Sequence, residues 1–337
     1  MREPSSLSAS SAAPPPVEIG LTAAIVAVRG DEPLILTVHS GGESEFASLP
    51  SGPFDPLRHR TFDSGLREWV AQQTGAPLGY VPQHYTFGDR GRHARLGDRD
   101  PHVVSVGYLA LTRIGGEIPQ SLAGVWRCWH DFFPWDDWRV RRPEMIEAVI
   151  LPGLEIWRQE APEALSSSGL TRTQRVNLLF GVGERGFNEE NVLERYELLY
   201  EAGLLEEALR DGRQSALRRK TLEPIGPALG HAMRQDHRRI LATAMGRLRS
   251  KMKYRPVIFE VMAETFTLTE LQHTVEAISG RRLHKQNFRR LLESSEILEP
   301  TGETSHLTGG RPAALFKFRR NVLQERPSFG LRVGIRG

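Results

Sequence analysis

A single cysteine, Cys128, stands in 337 residues, so neither an intramolecular disulfide nor a cysteine-based zinc site can form. No run approaches the roughly 18 uncharged apolar residues that a membrane-spanning helix needs. Met1 to Pro16 is a Ser/Ala/Pro mixture without the apolar block of a secretory signal. The expectation is a cytoplasmic protein with a disordered tail over residues 1–16. Net charge is scarce as well: 44 Lys+Arg against 41 Asp+Glu leave +3. Hydrophobic residues at 39% and charged residues at 25% exclude wholesale disorder and fibrous repeats. The length predicts about two domains.

The small net charge hides a division. Residues 1–210 carry 20 Lys+Arg and 29 Asp+Glu, whereas residues 211–337 carry 24 and 12. Such asymmetry suggests that the basic part meets a polyanion while the acidic part does something else. The alternative is a basic face that merely balances an acidic one within the molecule.

Two β-branched stretches, Leu21 to Val28 and Pro33 to Val38, flank Arg29-Gly30-Asp31-Glu32 and predict a hairpin. From Thr61 to Thr74, Phe62, Leu66, Trp69 and Val70 recur at helical spacing and Gly75 supplies a C-cap. Strands are expected at Tyr80 to Phe87 and Val103 to Thr112, around an Arg-rich loop from Gly88 to Pro101, with a helical segment near Pro143 to Arg158. Beyond a small-residue linker, Glu163 to Gly169, helices are expected at Arg172 to Phe180, Glu189 to Glu201 and His231 to Tyr254. The last has an apolar stripe of Ile240, Ala244, Leu248 and Met252, with Arg238, Arg239, Arg247, Arg249 and Lys251 largely around it. That stripe suits either an intramolecular core or a second subunit.

Gly181-Val182-Gly183-Glu184-Arg185-Gly186 matches the dinucleotide fingerprint GxGxxG. A fingerprint of that kind needs a strand before it and an apolar helix directly after; here Phe187 to Asn191 is polar and Glu184 would place a carboxylate in the phosphate cradle.

Leu66 to Gly75, LREWVAQQTG, resembles the helix of the Nudix box, whose glutamates hold the divalent ions that activate water against a pyrophosphate. Such hard cations need several carboxylate oxygens on one face. Aligned on Gly75, the Arg-Glu pair falls on Glu68 and Trp69, and the Glu-Glu pair on Gln72 and Gln73; aligned on Arg67-Glu68, Ala71 and Gln72 occupy the Glu-Glu positions. Neither register keeps the glutamates. The fold signal survives without the catalytic one, and no metal, cofactor or catalytic residue is expected.

Tyr254 to Arg320 reads as a winged helix from its own pattern. Thr267-Leu268-Thr269-Glu270 is a capping box, Leu271, Val275 and Ile278 form a stripe, and Gly280 ends the helix. A second helix, about His284 to Ser294, turns Phe288, Leu291 and Leu292 inward and Lys285, Gln286, Asn287, Arg289 and Arg290 outward, as a recognition helix does. Ile297 to Glu299 and Ala314 to Phe318 are strand-like, joined by a Gly-rich candidate wing from Thr301 to Pro312 with Arg311. Lys253, Arg255, Arg281 and Arg282 are placed for phosphates.

Further stretches carry a resemblance. Gly79 to Asp89 (GYVPQHYTFGD), Phe132 to Arg139 (FFPWDDWR), Tyr254 to Val257 (YRPV), Phe266 to Gln272 (FTLTELQ), Asn287 to Arg290 (NFRR) and Gly310 to Ala313 (GRPA) resemble, in order, the Nudix-related transcriptional regulators of NAD metabolism, the NrtR family, and most closely its NadQ-type branch. The resemblance implies an α+β protein: a degenerate Nudix-like α/β/α sandwich over 17–160, a helical connector over 161–228, a long helix with a C-terminal winged helix-turn-helix over 229–320, and a basic tail over 321–337. It implies a repressor of NAD-biosynthesis genes that binds a double-stranded DNA operator as a homodimer and senses ADP-ribose or a related nucleotide. Candidate pocket residues are Arg67, Phe87, Asp89, Arg90, Arg92 and Arg99: cations for a pyrophosphate and an aromatic for a base. The rival readings are an active Nudix pyrophosphohydrolase with an accessory DNA-binding domain and a winged-helix protein-interaction module.

Overall fold

The computed structural model describes residues 16–39, 46–79, 81–89, 102–114, 118–119, 122–162, 165–181, 187–213, 215, 229–254, 257–305 and 312–319. The expected disordered tail, apart from Pro16, and the basic tail lie outside them. So do Arg90, Arg92, Arg99, Arg255 and Arg311.

Strand β1 (Val17–Arg29) turns through Gly30 and Asp31 into β2 (Glu32–Val38), the expected hairpin, with Arg29 opposite Glu32. With β3 (Ser51–Pro53), β4 (Gln83–Phe87), β5 (His102–Leu111) and β6 (Gly124–Cys128) they form one sheet of order β4-β5-β1-β2-β6, with β3 paired to β1. β1 and β5 run parallel and the other pairs antiparallel. Alternation along β1 sends its side chains to two separate cores. Leu21, Ala23 and Ile25 meet Leu66 and Val70, whereas Ala24 and Val26 enter the larger cluster on the opposite face.

Helix α1 (Phe62–Thr74) supplies Leu66 and Val70 to the first face; Thr61 caps it through a reciprocal box with Ser64. Gly75 closes it in the left-handed region at φ 64°, a conformation costly to any residue with a Cβ. Downstream, α2 (Leu151–Glu160) begins at a π-helical turn, Ile146–Ile150. Pro152 has no N–H to give that turn, so a widened hydrogen-bond pattern is tolerated there. Helices α3 (Arg172–Phe180), α4 (Val192–Glu201) and α5 (Glu206–Arg210) follow.

Helix α6 (His237–Tyr254) covers the second face of the sheet, touching β1, β4 and β5. Ile240, Ala244, Leu248 and Met252 are all buried in the large cluster, so the stripe packs intramolecularly. Its start differs from the expected His231, because Gly230 and Gln235 take positive φ and interrupt a continuous helix. Arg238 and Arg249 also depart from a solvated flank: each is 1% exposed. Arg238 donates to the carbonyls of Phe132 and Leu229 and pairs with buried Glu207 at 3.1 Å, while Phe133, Trp135 and Tyr196 surround its guanidinium. A single-sequence stripe cannot reveal that an arginine enters the core, since its charge assigns it to the polar side unless a buried partner is known.

The C-terminal part contains β7 (Phe266–Thr267), α7 (Leu268–Ser279), α8 (Lys285–Ser295), β8 (Leu298–Ser305) and β9 (Ala313–Phe318), with strand order β7-β9-β8. β8 runs further into the expected wing than Glu299, and His306 to Arg311 lie outside the described residues. Helix α7 packs against α6 and also against β1 and β2.

Two histidines are buried uncharged. Burial, reinforced by Arg247 and Lys251, pushes His84 down to about 4. Burial likewise pushes His130 down to about 3, with Asp137 opposing and Arg249 and Arg139 assisting. Each has a folded pKa below its unfolded value near 6.5, so the unfolded chain binds more protons in the interval between. Stability is therefore full above pH ~6.5 and falls as pH drops toward 4, by about 2 kcal/mol per histidine at pH 5. Urea midpoints at pH 7 and pH 5 should show that drop, and His84→Gln should remove roughly half of it. An equal drop in the variant would locate the acid sensitivity elsewhere.

Candidate nucleic-acid interface and sensor face

The reading helix is built from its caps upward. Thr267 accepts the amide of Glu270 at 3.2 Å, and the Glu270 carboxylate accepts the amide of Thr267 at 2.7 Å, which starts α7. Gly280 at φ 70° ends it and lets the chain turn toward α8. Phe288 and Leu292 pin α8 to the core, and Leu291 is partly buried against it. At 100° per residue, the side of α8 opposite Phe288 and Leu292 is centred on Gln286, Arg290 and Glu293, flanked by Arg289 and Asn287.

Lys285, Gln286, Asn287, Arg289 and Arg290 are exposed. Among the described residues none of the five side chains has a hydrogen bond or ion pair; the same holds for the exposed Arg282 side chain. Unpaired cations and amides on one rigid face suit phosphates and the acceptor-rich edges of guanine and adenine. Glu293 sits toward the C-terminal end of that face, so the cationic approach is confined to its N-terminal half.

Two cations assigned to phosphates are engaged differently. Lys253 lies 3.2 Å from Glu189 and pairs with Glu190, and Arg281 lies 3.1 Å from Glu189. The Glu189 carboxyl is held below its ordinary value although burial opposes this, because its own backbone amide donates to it and Lys253 and Arg281 stand beside it. In this arrangement both cations seal the seam between the winged helix and the preceding segment.

The expected nucleotide pocket is not assembled from its described members. Arg67 donates to the carbonyls of Leu78 and Gly79 and to Asp63 at 2.8 Å, tying the segment after α1 to the helix. Phe87 and Asp89 belong to the opposite face of the sheet. Phe87 is buried, the Arg239 guanidinium stands 5.3 Å from its ring centroid, and Asp89 pairs with Arg239. Burial works against that guanidinium, but Glu197, Asp236 and Asp89 together hold its pKa above the ordinary value. Strand alternation explains the separation: Phe87 faces α6, while α1 covers the other side.

Gly75 caps the Nudix-like helix in the left-handed region, and in the alignment on Gly75 the Glu-Glu positions fall on Gln72 and Gln73. Gln73 accepts the Ser51 amide at 3.1 Å and donates to the Ser51 carbonyl at 2.8 Å. Gln72 donates to Glu68 at 3.0 Å, and Glu68 is further engaged by Arg58 at 2.6 Å. Trp69 lies over β3, where a Cβ on Gly52 would come within 2.3 Å of the indole, and its Nε1 donates to the Pro53 carbonyl. These side chains clasp β3 to α1 and do not fit a divalent-ion cluster. Among the described residues no group of three or more His, Cys, Asp or Glu side chains could hold a metal.

Residues 258–318 match the model of the NrtR DNA-binding winged helix domain. The C-terminal region is thus similar to the NrtR winged helix. Across 83 residues the chain is 41% identical to the ADPR responsive transcriptional repressor NtrR of Acinetobacter baylyi, a match covering 25% of this chain and 33% of that protein. The chain thus spans about a third of that curated relative. The crystal structure of Shewanella oneidensis NrtR superposes with a TM-score of 0.51 at 18% identity, covering 91% of this chain and 97% of that one. That likeness extends the shared fold from the NrtR winged helix to the sheet body. The GxGxxG stretch follows α3, with Gly181 as its left-handed cap. A helix therefore stands where the fingerprint requires a strand, and residues 182–186 lie outside the described residues.

Proposed function

We propose that this chain is a DNA-binding transcriptional repressor of NAD-biosynthesis genes, acting as a cytoplasmic homodimer whose Nudix-like part senses ADP-ribose or a related nucleotide. The observation that carries the reading is the row of unpaired, outward side chains on α8 within an NrtR-type winged helix. The Acinetobacter relative, an ADPR-responsive repressor by name, supports the effector class, and the stretches resembling the family support the gene set. A dimer would place two recognition helices on successive major grooves of a palindromic site. The effector acts by binding DNA-competent and DNA-incompetent arrangements with different affinities. A difference of about 1–3 kcal/mol changes operator occupancy about 5- to 150-fold.

Titrating the full chain onto promoter fragments of NAD-synthesis genes, with and without ADP-ribose, tests this. Specific binding that shifts with the nucleotide is expected; no binding at low salt would remove the DNA reading and leave a protein-interaction module. Binding should also weaken steeply with salt, as a phosphate-dominated interface requires.

The Nudix-like part acts as a binder rather than a hydrolase, since glutamines and a tryptophan occupy the positions that pyrophosphate hydrolysis needs as carboxylates. Incubation with ADP-ribose and magnesium should leave the nucleotide intact. Sustained turnover abolished by chelation would replace the sensor reading with that of an active pyrophosphohydrolase.

A further inference from the structure

The winged helix meets the sheet body at a buried cluster of charges. Asp136, fully buried in the FFPWDDW stretch, accepts from Arg195 of α4 at 2.6 Å and from Arg249 of α6 at 2.9 Å. The same Arg249 Nη1 donates to the Glu189 carbonyl at 2.9 Å, and its Nε donates to the Ile278 carbonyl at 2.8 Å in the last turn of α7. One guanidinium thus ties three segments: the Asp136 loop, the Glu189 segment and the first helix of the helix-turn-helix.

The contact is tight on the reader side as well. The Trp138 amide donates to the Gly280 carbonyl at 2.7 Å. A Cβ on Gly280 would lie 2.5 Å from the Asp136 carbonyl oxygen and 2.8 Å from Arg249 Nη2. Phe187 stacks on Trp138 at 4.2 Å, and the Arg195 guanidinium lies 4.3 Å from the Phe187 ring.

Two buried arginines share one buried aspartate, and Arg249 Nη2 has no hydrogen-bond partner among the described residues. An apolar seam of equal volume would avoid the desolvation this arrangement incurs, but it would be free to slide. Directional bonds from a planar fork admit one register. We propose that Arg249 is the positioning residue that fixes the winged helix, and with it the recognition helix, on the sheet body. A change at the sheet body can then reach α8 through a defined orientation instead of a loose tether.

The proposal draws its consequence for operator binding from the functional reading above, but its test does not depend on DNA. Spin labels at Leu57→Cys, 95% exposed on the sheet body, and at exposed Glu293→Cys on α8 report the distance between the two parts. They are introduced in a full-length Cys128→Ala chain diluted into unlabelled protein. A single narrow distance distribution is expected. Arg249→Lys keeps the charge beside Asp136 but cannot span from the Asp136 and Glu189 oxygens to the Ile278 carbonyl. The distribution should become at least twice as broad, with each part still folded by its amide spectrum and thermal transition. An unchanged distribution in a folded Arg249→Lys chain overturns the proposal. Should that chain fail to fold, Gly280→Ala decides by wedging the same junction from the reader side: a broadened or displaced distribution supports positioning at this junction, and a wild-type distribution overturns it. Loss of operator binding in the unsubstituted chain would defeat the functional reading while leaving this measurement intact.

Discussion

Replacing Arg290 by alanine is expected to weaken operator binding about 5- to 150-fold, the effect of removing one good base contact worth about 1–3 kcal/mol. Arg290 lies on the outward side of α8, opposite the buried Phe288 and Leu292, and no carboxylate among the described residues competes for it. Stability should hardly move, because the exposed guanidinium has no partner among the described residues to lose. Arg281→Ala and Lys253→Ala provide the contrast. Both side chains already pair with Glu189, so any phosphate contact must first displace a carboxylate, and their loss should weaken DNA binding less. Fluorescence anisotropy at one fixed salt concentration ranks the variants. An Arg290→Ala chain that binds like wild type and keeps its sequence preference would remove α8 from base reading.

Local rules carried much of the fold. The β1–β2 hairpin, α3 and the capped start of α7 follow from residues within a few positions of one another, where alternation, capping boxes and terminal glycines act without tertiary help. β6 and β7 were not anticipated. Gly124–Cys128 is short and pairs along β2 at the sheet edge, and Phe266–Thr267 becomes a strand only because β9 lies beside it. A two-residue strand has no periodicity to detect.

The outward residues of α8 were legible because exposure follows directly from the azimuth of Phe288 and Leu292. A common site for Arg67, Phe87 and Asp89 was not. Arg67, Phe87 and Asp89 are close in sequence, yet an intervening sheet separates them, and only strand register says which face Phe87 takes. The charged seam was equally hidden: Asp136, Arg195, Arg249 and Ile278 are scattered through the sequence, and charge alone assigns each ion to solvent. Gly280 offered the one local sign. Its role as a helix cap was visible, but its closeness to the Asp136 carbonyl was not.

Asp136→Ala should be the most damaging single substitution for stability. Its carboxyl is held below the ordinary value although burial opposes ionisation, because Arg195 and Arg249 both interact and hydrogen-bond with it. Removing it leaves two buried guanidinium groups without the carboxylate they share. Breaking a buried ion pair from one side costs about 3–5 kcal/mol, a large part of the 5–15 kcal/mol that stabilises a typical domain. Asp136→Asn preserves the shape and some hydrogen bonding but loses the charge, so it should also destabilise, by less. The decisive comparison is Asp136→Ala/Arg195→Met/Arg249→Met. If stranded charge causes the loss, removing both arginines should restore much of the urea midpoint despite two further core substitutions. A triple variant less stable than Asp136→Ala would instead show that the hydrogen bonds from Arg195 and Arg249 to the Leu179, Asn188, Glu189 and Ile278 carbonyls contribute more than the charges. The restored triple variant, lacking the Arg249 fork, should still have an unfixed winged helix, which separates how stable the seam is from how well it orients the reader.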